Sequence, residues 1–201
     1  MQSFDFIIVG AGSAGCVLAD KLSACGKFTV CLIEAGPPDN HWMTEIPLAV
    51  VTLKRSKRRN WQLNSEPEPY LHHRKIFNPR GKTLGGSSSI NAMLYVRGQK
   101  EDYDHWAALG NPGWAYDDVL PYFKATEHQE RGADSFHGVD GALNVCDSQS
   151  KPEINDYFIQ AAHDCGYPLN EDFNGPSQEG IGYFQVTQKN GLRCSSAKGF
   201  L

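Results

Sequence analysis

The first part of the chain alternates between short apolar runs and a helical spacing of apolar side chains. Residues 4–9 (FDFIIV) predict a strand, and residues 29–33 (TVCLI) predict a second, buried strand. Residues 13–24 between them have the periodicity of a helix. The apolar positions on the predicted inner face of this helix are Val17, Leu18 and Leu22. The order strand, helix, strand predicts a β-α-β unit over residues 1–36 and an α/β fold.

A glycine-rich turn joins the first strand to the helix with the spacing Gly10-x-Gly12-x-x-Gly15. In such a motif the first glycine permits the tight turn, the second lets backbone approach a pyrophosphate, and the third lets helix and strand pack closely. Glu34, 24 residues after Gly10, can accept hydrogen bonds from both ribose hydroxyls, and its charge disfavours the 2′-phosphate of NADP. The unit therefore predicts dinucleotide binding and leaves the choice between FAD and NAD open.

The rest of the chain predicts further elements of ordinary length. Helical patterns cover residues 101–109, 117–127 and 154–165, and residues 183–188 predict a strand. Asn190-Gly191 predicts a tight turn, after which Ser195 or Ser196 is a candidate N-cap. The aromatic side chains between residues 103 and 123 lack basic neighbours, so they indicate core packing rather than a surface that stacks nucleic-acid bases.

Composition narrows the possible functions of the 201-residue chain. Its 19 basic and 23 acidic residues give a net charge of −4, which argues against a nucleic-acid binder. No apolar stretch approaches the roughly 18 residues of a membrane-spanning helix, and the start lacks the basic region of a secretory signal. The six cysteines form no Cys-x-x-Cys pair and the seven histidines have no partner at ligand spacing, so we predict no metal site. These features favour a reducing, cytoplasmic setting.

A basic run covers residues 54–59 (KRSKRR). A solvated loop is its simplest interpretation, because runs of like charge usually face water. The alternative is contact with an anionic lipid surface, which would make the protein peripheral on the inner face of the cell membrane.

A second glycine cluster spans residues 81–91 (GKTLGGSSSIN). Gly85 and Gly86, followed by three serines, predict backbone that closely approaches a ligand and then a helix start with serine caps. A plain junction between a turn and a helix would explain the same residues.

This cluster, continued by Tyr95, Gly98 and Asp104, resembles the first signature of the glucose–methanol–choline (GMC) oxidoreductases. Further segments resemble the family in the same order over the whole chain. They are Glu34-Ala35-Gly36, Asn60-Trp61, residues 66–69 (EPEP), residues 79–82 (PRGK) and residues 193–201 (RCSSAKGFL). Within the family, the chain is most similar to the bacterial acceptor-linked alcohol dehydrogenases and choline dehydrogenases.

The resemblance implies a Rossmann-like FAD-binding domain with the GMC signature in residues 79–104. Residues 91–94 would then pass beside the isoalloxazine ring. The residues that the resemblance assigns to the cofactor are Gly10, Gly12, Ser13, Ala14, Gly15, Glu34, Ala35, Trp61, Arg80, Leu84, Gly85, Gly86, Ser87, Asn91, Ala92, Met93 and Leu94. Members that attach FAD covalently have a histidine just before this asparagine. Because Ile90 stands there, we expect non-covalent FAD.

Residues 1–201 are expected to be the N-terminal portion of such a domain, with the first elements of a substrate domain at about residues 142–190. The family's catalytic histidine and its histidine or asparagine partner lie in the C-terminal half of the full-length proteins. None of the seven histidines here matches that base. We therefore expect a truncated chain that lacks the catalytic half and is inactive by itself.

The resemblance implies oxidation of the CH–OH group of an alcohol, with a histidine taking the hydroxyl proton while a hydride moves to flavin N5. We expect a dehydrogenase of a primary alcohol or choline that passes electrons to a quinone-type acceptor of the respiratory chain. An oxygen-using oxidase of the same family and a non-catalytic nucleotide-binding module are the alternatives.

Overall fold

The predicted β-α-β unit is present in the computed structural model, which describes residues 2–201. Its elements are β1 (Phe6–Val9), α1 (Ser13–Ser23) and β2 (Val30–Ile33). The two strands are parallel, with Phe6 opposite Val30 and Val9 opposite Ile33. The Gly10 N–H donates to the Ile33 carbonyl at 2.7 Å, so the ladder continues into the glycine-rich turn. This arrangement holds the turn at the carboxyl end of both strands.

The two strands are more exposed than the sequence predicts. Ile7 is 63 % exposed and Val9 is 83 % exposed, and β2 is half-buried with Ile33 exposed, so the prediction of a buried second strand is wrong. Side chains alternate between the two faces of a strand, and α1 covers only one face of this pair. Among the described residues this sheet has two strands, which leaves its other face open.

The inner face of α1 is also different from the predicted one. Its buried residues are Gly15, Cys16 and Ala19, whereas Leu18 is exposed. Small side chains let the helix axis approach β1, β2 and a second helix, α7 (Ser196–Phe200), closely. The apolar periodicity therefore identified the helix correctly but not the face that packs.

These elements belong to a first structural unit formed by residues 2–93 and 192–201. Its other elements are α2 (Trp42–Glu45), α3 (Val50–Leu53), β3 (Leu63–Asn64), β4 (Phe77–Asn78) and β9 (Leu192–Arg193). Strands β3 and β4 pair antiparallel. The predicted serine-capped helix of the second glycine cluster is only a four-residue 3₁₀ turn, Gly86–Ser89, whose N-cap Gly85 has no side chain to offer. Ser195 is the N-cap of α7 as predicted, because its Oγ accepts from the Lys198 N–H at 3.2 Å.

Residues 94–191 form the second unit. Its elements are α4 (Lys100–Ala108), α5 (Tyr116–Thr126), β5 (Glu127–Gln129), β6 (Leu143–Asp147), α6 (Glu153–Asp164), β7 (Gln185–Val186) and β8 (Gln188–Lys189). The three predicted helices are confirmed to within one residue at each end, and the predicted strand is interrupted at Thr187. Strand β6 lies between β5, its parallel neighbour, and β7, its antiparallel neighbour. Asn190 and Gly191 both have positive φ, as a tight turn of the predicted kind requires.

The aromatic side chains of α4 and α5 form a cluster that is only partly buried. The Tyr103 ring lies 5.5 Å from Trp106 and 5.7 Å from Phe123, in edge-to-face contacts. Tyr116 is buried, but Trp106 and Tyr122 are exposed. The prediction of core packing therefore holds for the contacts and is wrong for the burial of half of the rings.

All six cysteines are free thiols.

The basic run, residues 54–59, follows α3 as a series of turns in which Arg55, Lys57 and Arg58 are exposed. Arg59, which the solvated-loop interpretation places in water, is instead buried and donates to the Pro38 carbonyl at 3.0 Å. In the described part of the chain, no helix has the length and apolar character to cross a membrane.

Candidate dinucleotide-binding site

The glycine-rich turn leaves the N-terminus of α1 open. Gly12 is the N-cap of this 11-residue helix, and no side chain caps its free N–H groups. A Cβ at Gly12 would meet no atom within 4 Å, whereas a Cβ at Gly15 would overlap the Gly10 carbonyl oxygen. Gly15 is therefore required for packing, as the motif predicts. Gly12 instead faces free space beside unpaired N–H groups, which is the geometry that an anion needs at a helix N-terminus.

The carboxylate of Glu34 connects the end of β2 to this turn. One oxygen, Oε2, accepts from the Ala11 N–H at 2.9 Å, and the other, Oε1, accepts from the Gly36 N–H at 2.9 Å. Each carboxylate oxygen can accept a second hydrogen bond. Glu34 thus fixes the glycine-rich turn, a role that sequence reasoning missed. Its carboxylate oxygens still have acceptor capacity for ribose hydroxyls.

The second glycine cluster packs directly against the first. The Gly85 N–H donates to the Ala11 carbonyl at 2.7 Å, and a Cβ at Gly86 would come within 2.8 Å of the Gly12 Cα. The Leu84 N–H donates to the Pro37 carbonyl at 3.2 Å. Segments that are far apart in sequence therefore meet at one place, the N-terminus of α1. Glycine at positions 85 and 86 permits this close approach of backbone, because no Cβ stands between the segments.

Trp61 and Arg80 are joined to the second cluster through a buried amide. The side-chain oxygen of Asn60 accepts from the Arg80 N–H at 3.0 Å, and the Trp61 N–H donates to the Arg80 carbonyl at 2.9 Å. The Ser87 Oγ accepts from the Gly81 N–H at 3.0 Å. Both side chains that the resemblance assigns to the cofactor, Trp61 and Arg80, are at least partly open to solvent. Asn60 itself is 1 % exposed, a burial that the sequence motif Asn60-Trp61 does not reveal.

The segment assigned to the flavin ring divides between the two units. Asn91 and Ala92 are exposed, and Met93 is buried with a positive φ of 63°. The Asn91 Oδ1 accepts from the Met93 N–H at 3.0 Å, which shapes the turn. Leu94 belongs to the second unit, where it forms an isolated bridge with Val186. Of the predicted cofactor residues, those up to Met93 therefore share the first unit, and Leu94 does not.

Arg193 is a buried side chain in the first unit that no sequence pattern places near the second glycine cluster. Its Nη1 donates to the Ser88 carbonyl at 3.0 Å and to the Asn91 Oδ1 at 2.8 Å. Its Nε donates to the Thr44 carbonyl at 2.9 Å. Burial lowers the pKa of the Arg193 guanidinium to about 10. The only sequence signal was its position at the start of the RCSSAKGFL segment.

The second unit contains a buried cluster of charges that sequence reasoning did not detect. Glu127 is fully buried, with Oε2 at 2.7 Å from the Arg97 guanidinium and Oε1 at 3.0 Å from the His137 Nδ1. The His137 Nε2 lies 2.8 Å from the Asp172 carboxylate. Burial alone would lower the pKa of His137, but the hydrogen bonds to Asp172 and Glu127 outweigh it and raise the pKa to about 9. Among residues 2–201 no grouping suited to a metal ion occurs.

Comparison with known proteins identifies the family. A family model described as GMC oxidoreductase matches residues 4–201. The chain belongs to the GMC oxidoreductase family. This finding confirms the resemblance and the α/β fold class predicted from the sequence.

Individual members of the GMC family agree with this assignment. The chain is 48 % identical over 199 residues to an alcohol dehydrogenase [acceptor] of Pseudomonas putida, covering 98 % of this chain and 36 % of that protein. It is 43 % identical over 197 residues to an oxygen-dependent choline dehydrogenase of Brucella anthropi, covering 98 % of this chain and 36 % of that protein.

Two solved structures share the fold. Pyridoxine 4-oxidase from Mesorbium loti matches with a TM-score of 0.93 and 31 % identity, over 98 % of this chain and 39 % of that one. An FAD-dependent oxidoreductase from Chaetomium thermophilum matches with a TM-score of 0.88 and 30 % identity, over 99 % of this chain and 36 % of that one. The chain thus spans little more than a third of the length of the relatives that it matches.

Proposed function

We propose that the protein is part of an FAD-dependent oxidoreductase that oxidises the CH–OH group of a primary alcohol or choline to the aldehyde. The observation that carries the proposal is the uncapped N-terminus of α1, with open space at Gly12 and Gly86 packed against it. Membership of the GMC family and the names of its relatives, which include an alcohol dehydrogenase and a choline dehydrogenase, support the same activity.

The residues present fit an FAD molecule. The N–H groups of α1 and the backbone at Gly12 suit a pyrophosphate, and Glu34 retains acceptor capacity for a ribose. The further proposed contacts, from Trp61, Arg80 and the segment that begins at Asn91, come from the resemblance. FAD supplies the redox chemistry when bound, as the acceptor of a hydride from the alcohol carbon. This chain's part in the reaction is to bind and orient that cofactor, since none of its histidines matches the catalytic base of the family.

The first test is FAD binding by the purified 201-residue chain. We expect added FAD to remain with the protein through gel filtration and to show a flavin spectrum, because the open helix N-terminus and Glu34 hold its ADP half. We also expect acid precipitation to release the flavin into the supernatant, because Ile90 offers no covalent attachment. A protein that binds NAD and excludes FAD contradicts the proposal, and flavin in the acid pellet contradicts the non-covalent part of it.

For the electron acceptor we propose a quinone of the respiratory chain, reached from the cytoplasm at the inner face of the membrane. The relative in Pseudomonas putida is named for a separate acceptor, and the exposed Arg55, Lys57 and Arg58 offer positive charge to anionic lipid. The competing candidate is oxygen, which the choline dehydrogenase relative uses by name.

The two acceptors are distinguished by the rate at which they reoxidise the reduced, FAD-loaded chain. We expect a soluble quinone to restore the flavin absorbance at least tenfold faster than the same concentration of oxygen, measured by stopped-flow. Free reduced FAD under the same conditions is the control. Faster reoxidation by oxygen than by quinone, relative to free FAD, would assign the chain to the oxidases.

A further inference from the structure

Two arginines of the first unit, Arg59 and Arg193, are buried, and neither forms an ion pair with a carboxylate of the described residues. Arg193 is 4 % exposed, and the three acceptors of its guanidinium are neutral: the carbonyls of Thr44 and Ser88 and the amide oxygen of Asn91. Its Nη2 has no hydrogen-bond partner in the described residues, and no carboxylate there forms an ion pair with it. A buried charge without a partner is costly, so its presence calls for a negative group that binds nearby.

The buried arginine of the second unit differs from these two, because it is paired with a carboxylate. Arg97 in the second unit is similarly buried, and its guanidinium lies 2.7 Å from the carboxylate of Glu127. The carboxylate next to the Arg193 acceptor Thr44 is that of Glu45, and it accepts from the Lys198 Nζ at 2.9 Å. The protein therefore supplies a counter-charge to Arg97 and to Lys198 but not to Arg59 or Arg193. Of these last two, only Arg193 has a fully buried guanidinium nitrogen, Nη2, without a hydrogen-bond partner in the described residues.

Arg193 also determines how Asn91 presents its amide. The Asn91 Oδ1 accepts from both the Arg193 Nη1 and the Met93 N–H, so the oxygen must face these two donors. The Nδ2 group then faces away from them, on an exposed side chain of the segment that we assign to the flavin. Loss of Arg193 would remove both the charge and one of the two contacts that fix this amide.

We propose that Arg193 is a positioning residue that fixes Asn91 and supplies the positive charge that stabilises reduced FAD over oxidised FAD. This inference rests on the proposed function. When two electrons and one proton enter the flavin from a reductant such as the alcohol, the product carries one more negative charge than the oxidised form. A nearby buried cation favours that product, and charges around the flavin ring are one of the means by which proteins tune it.

The test compares the Kd of the chain for oxidised and for reduced FAD, with dithionite as the reductant and a reference dye to fix the potential. In Arg193→Met we expect binding of reduced FAD to weaken at least tenfold more than binding of oxidised FAD. That ratio corresponds to a fall of about 30 mV in the two-electron midpoint potential. Arg59→Met is the matched control, because Arg59 is also buried and unpaired in the first unit, but among the described residues its guanidinium donates only to the Pro38 carbonyl. We expect that variant to leave the ratio unchanged.

Arg193→Lys is a second variant that tests the same inference if Arg193→Met does not fold. A buried lysine loses its proton at lower pH than an exposed one, whereas arginine stays charged to higher pH. We expect the ratio of the two Kd values in Arg193→Lys to depart at least tenfold from that of the unsubstituted chain at pH 9, where a buried lysine has lost its charge and Arg193, with a pKa of about 10, keeps most of its own.

Each result has a defined meaning. Equal weakening of oxidised and reduced FAD by Arg193→Met overturns the inference and leaves the proposed function intact. A ratio in Arg193→Lys that equals that of the unsubstituted chain from pH 7 to pH 9 does the same. Failure of the unsubstituted chain to bind FAD at all overturns the proposed function itself, and it is seen before any variant is made.

Discussion

Gly12→Ala is expected to weaken FAD binding about a hundredfold while leaving the chain folded. The Gly12 backbone has φ −75° and ψ −169°, which alanine also adopts, and its Cβ would enter space that no protein atom occupies within 4 Å. The cost to folding is then limited to the weaker N-cap preference of alanine, roughly 1 kcal/mol. The cost to binding is larger, because the methyl group occupies the path by which a pyrophosphate approaches the N–H groups of α1. A hundredfold loss corresponds to about 2.7 kcal/mol.

Gly15→Ala is the matched variant, three residues further along the same motif. Its Cβ would overlap the Gly10 carbonyl oxygen, so we expect loss of folding stability of about 1–3 kcal/mol or more. Fluorescence titration with FAD and urea unfolding of both variants separate the two effects. Unchanged FAD affinity in a folded Gly12→Ala protein would show that no pyrophosphate approaches this turn, and the proposed cofactor site would then be wrong.

The packing role of Gly15 was predictable because it depends on contacts between neighbours in sequence. Gly10, Gly12 and Gly15 act within one turn and one helix, and the strand–helix–strand order around them follows from local apolar periodicity. The face of α1 that packs was not predictable in the same way. It is chosen by β1, β2 and α7, and α7 lies almost at the other end of the chain. Periodicity identifies the apolar side chains but not the close contacts that require small ones.

Long-range polar contacts explain the rest of what sequence reasoning missed. Arg193 donates to groups that lie between 102 and 149 residues earlier in the chain, so no spacing rule relates it to them. His137 has its two carboxylate partners 10 and 35 residues away, on different segments. Before folding it is one histidine among seven. Recognition of the family could assign cofactor residues, because those lie in motifs, but it carried no information on side chains that support the motifs from outside.

Deprotonation of His137 is expected to destabilise the second unit at alkaline pH. Both ring nitrogens face carboxylates, Nδ1 toward Glu127 and Nε2 toward Asp172, and only a doubly protonated imidazole can donate to both. The pKa of His137 is accordingly raised from 6.5 to about 9, and that of Asp172 is lowered below 3.8. Because folding raises the pKa of His137, its contribution to the stability of the folded state is complete below pH 6.5 and is lost as the pH rises through 9. Because folding lowers the pKa of Asp172, its contribution is present above pH 3.8 and is lost on further acidification.

We therefore expect the free energy of unfolding to fall by roughly 3 kcal/mol between pH 6.5 and pH 9.5, since one pKa unit corresponds to about 1.4 kcal/mol. Urea unfolding followed by tryptophan fluorescence measures this change, with Trp42 and Trp61 of the first unit replaced by phenylalanine so that Trp106 and Trp114 report on the second unit. His137→Gln should show a flat profile over the same range, because the neutral amide has no proton to lose there. His163→Gln on the exposed face of α6 is the control, and it should retain the full alkaline loss. If the unsubstituted chain is equally stable at pH 6.5 and 9.5, the imidazole is not held as a cation between Glu127 and Asp172. The ion pair between Glu127 and Arg97 would then be what compensates for the burial of these two charges.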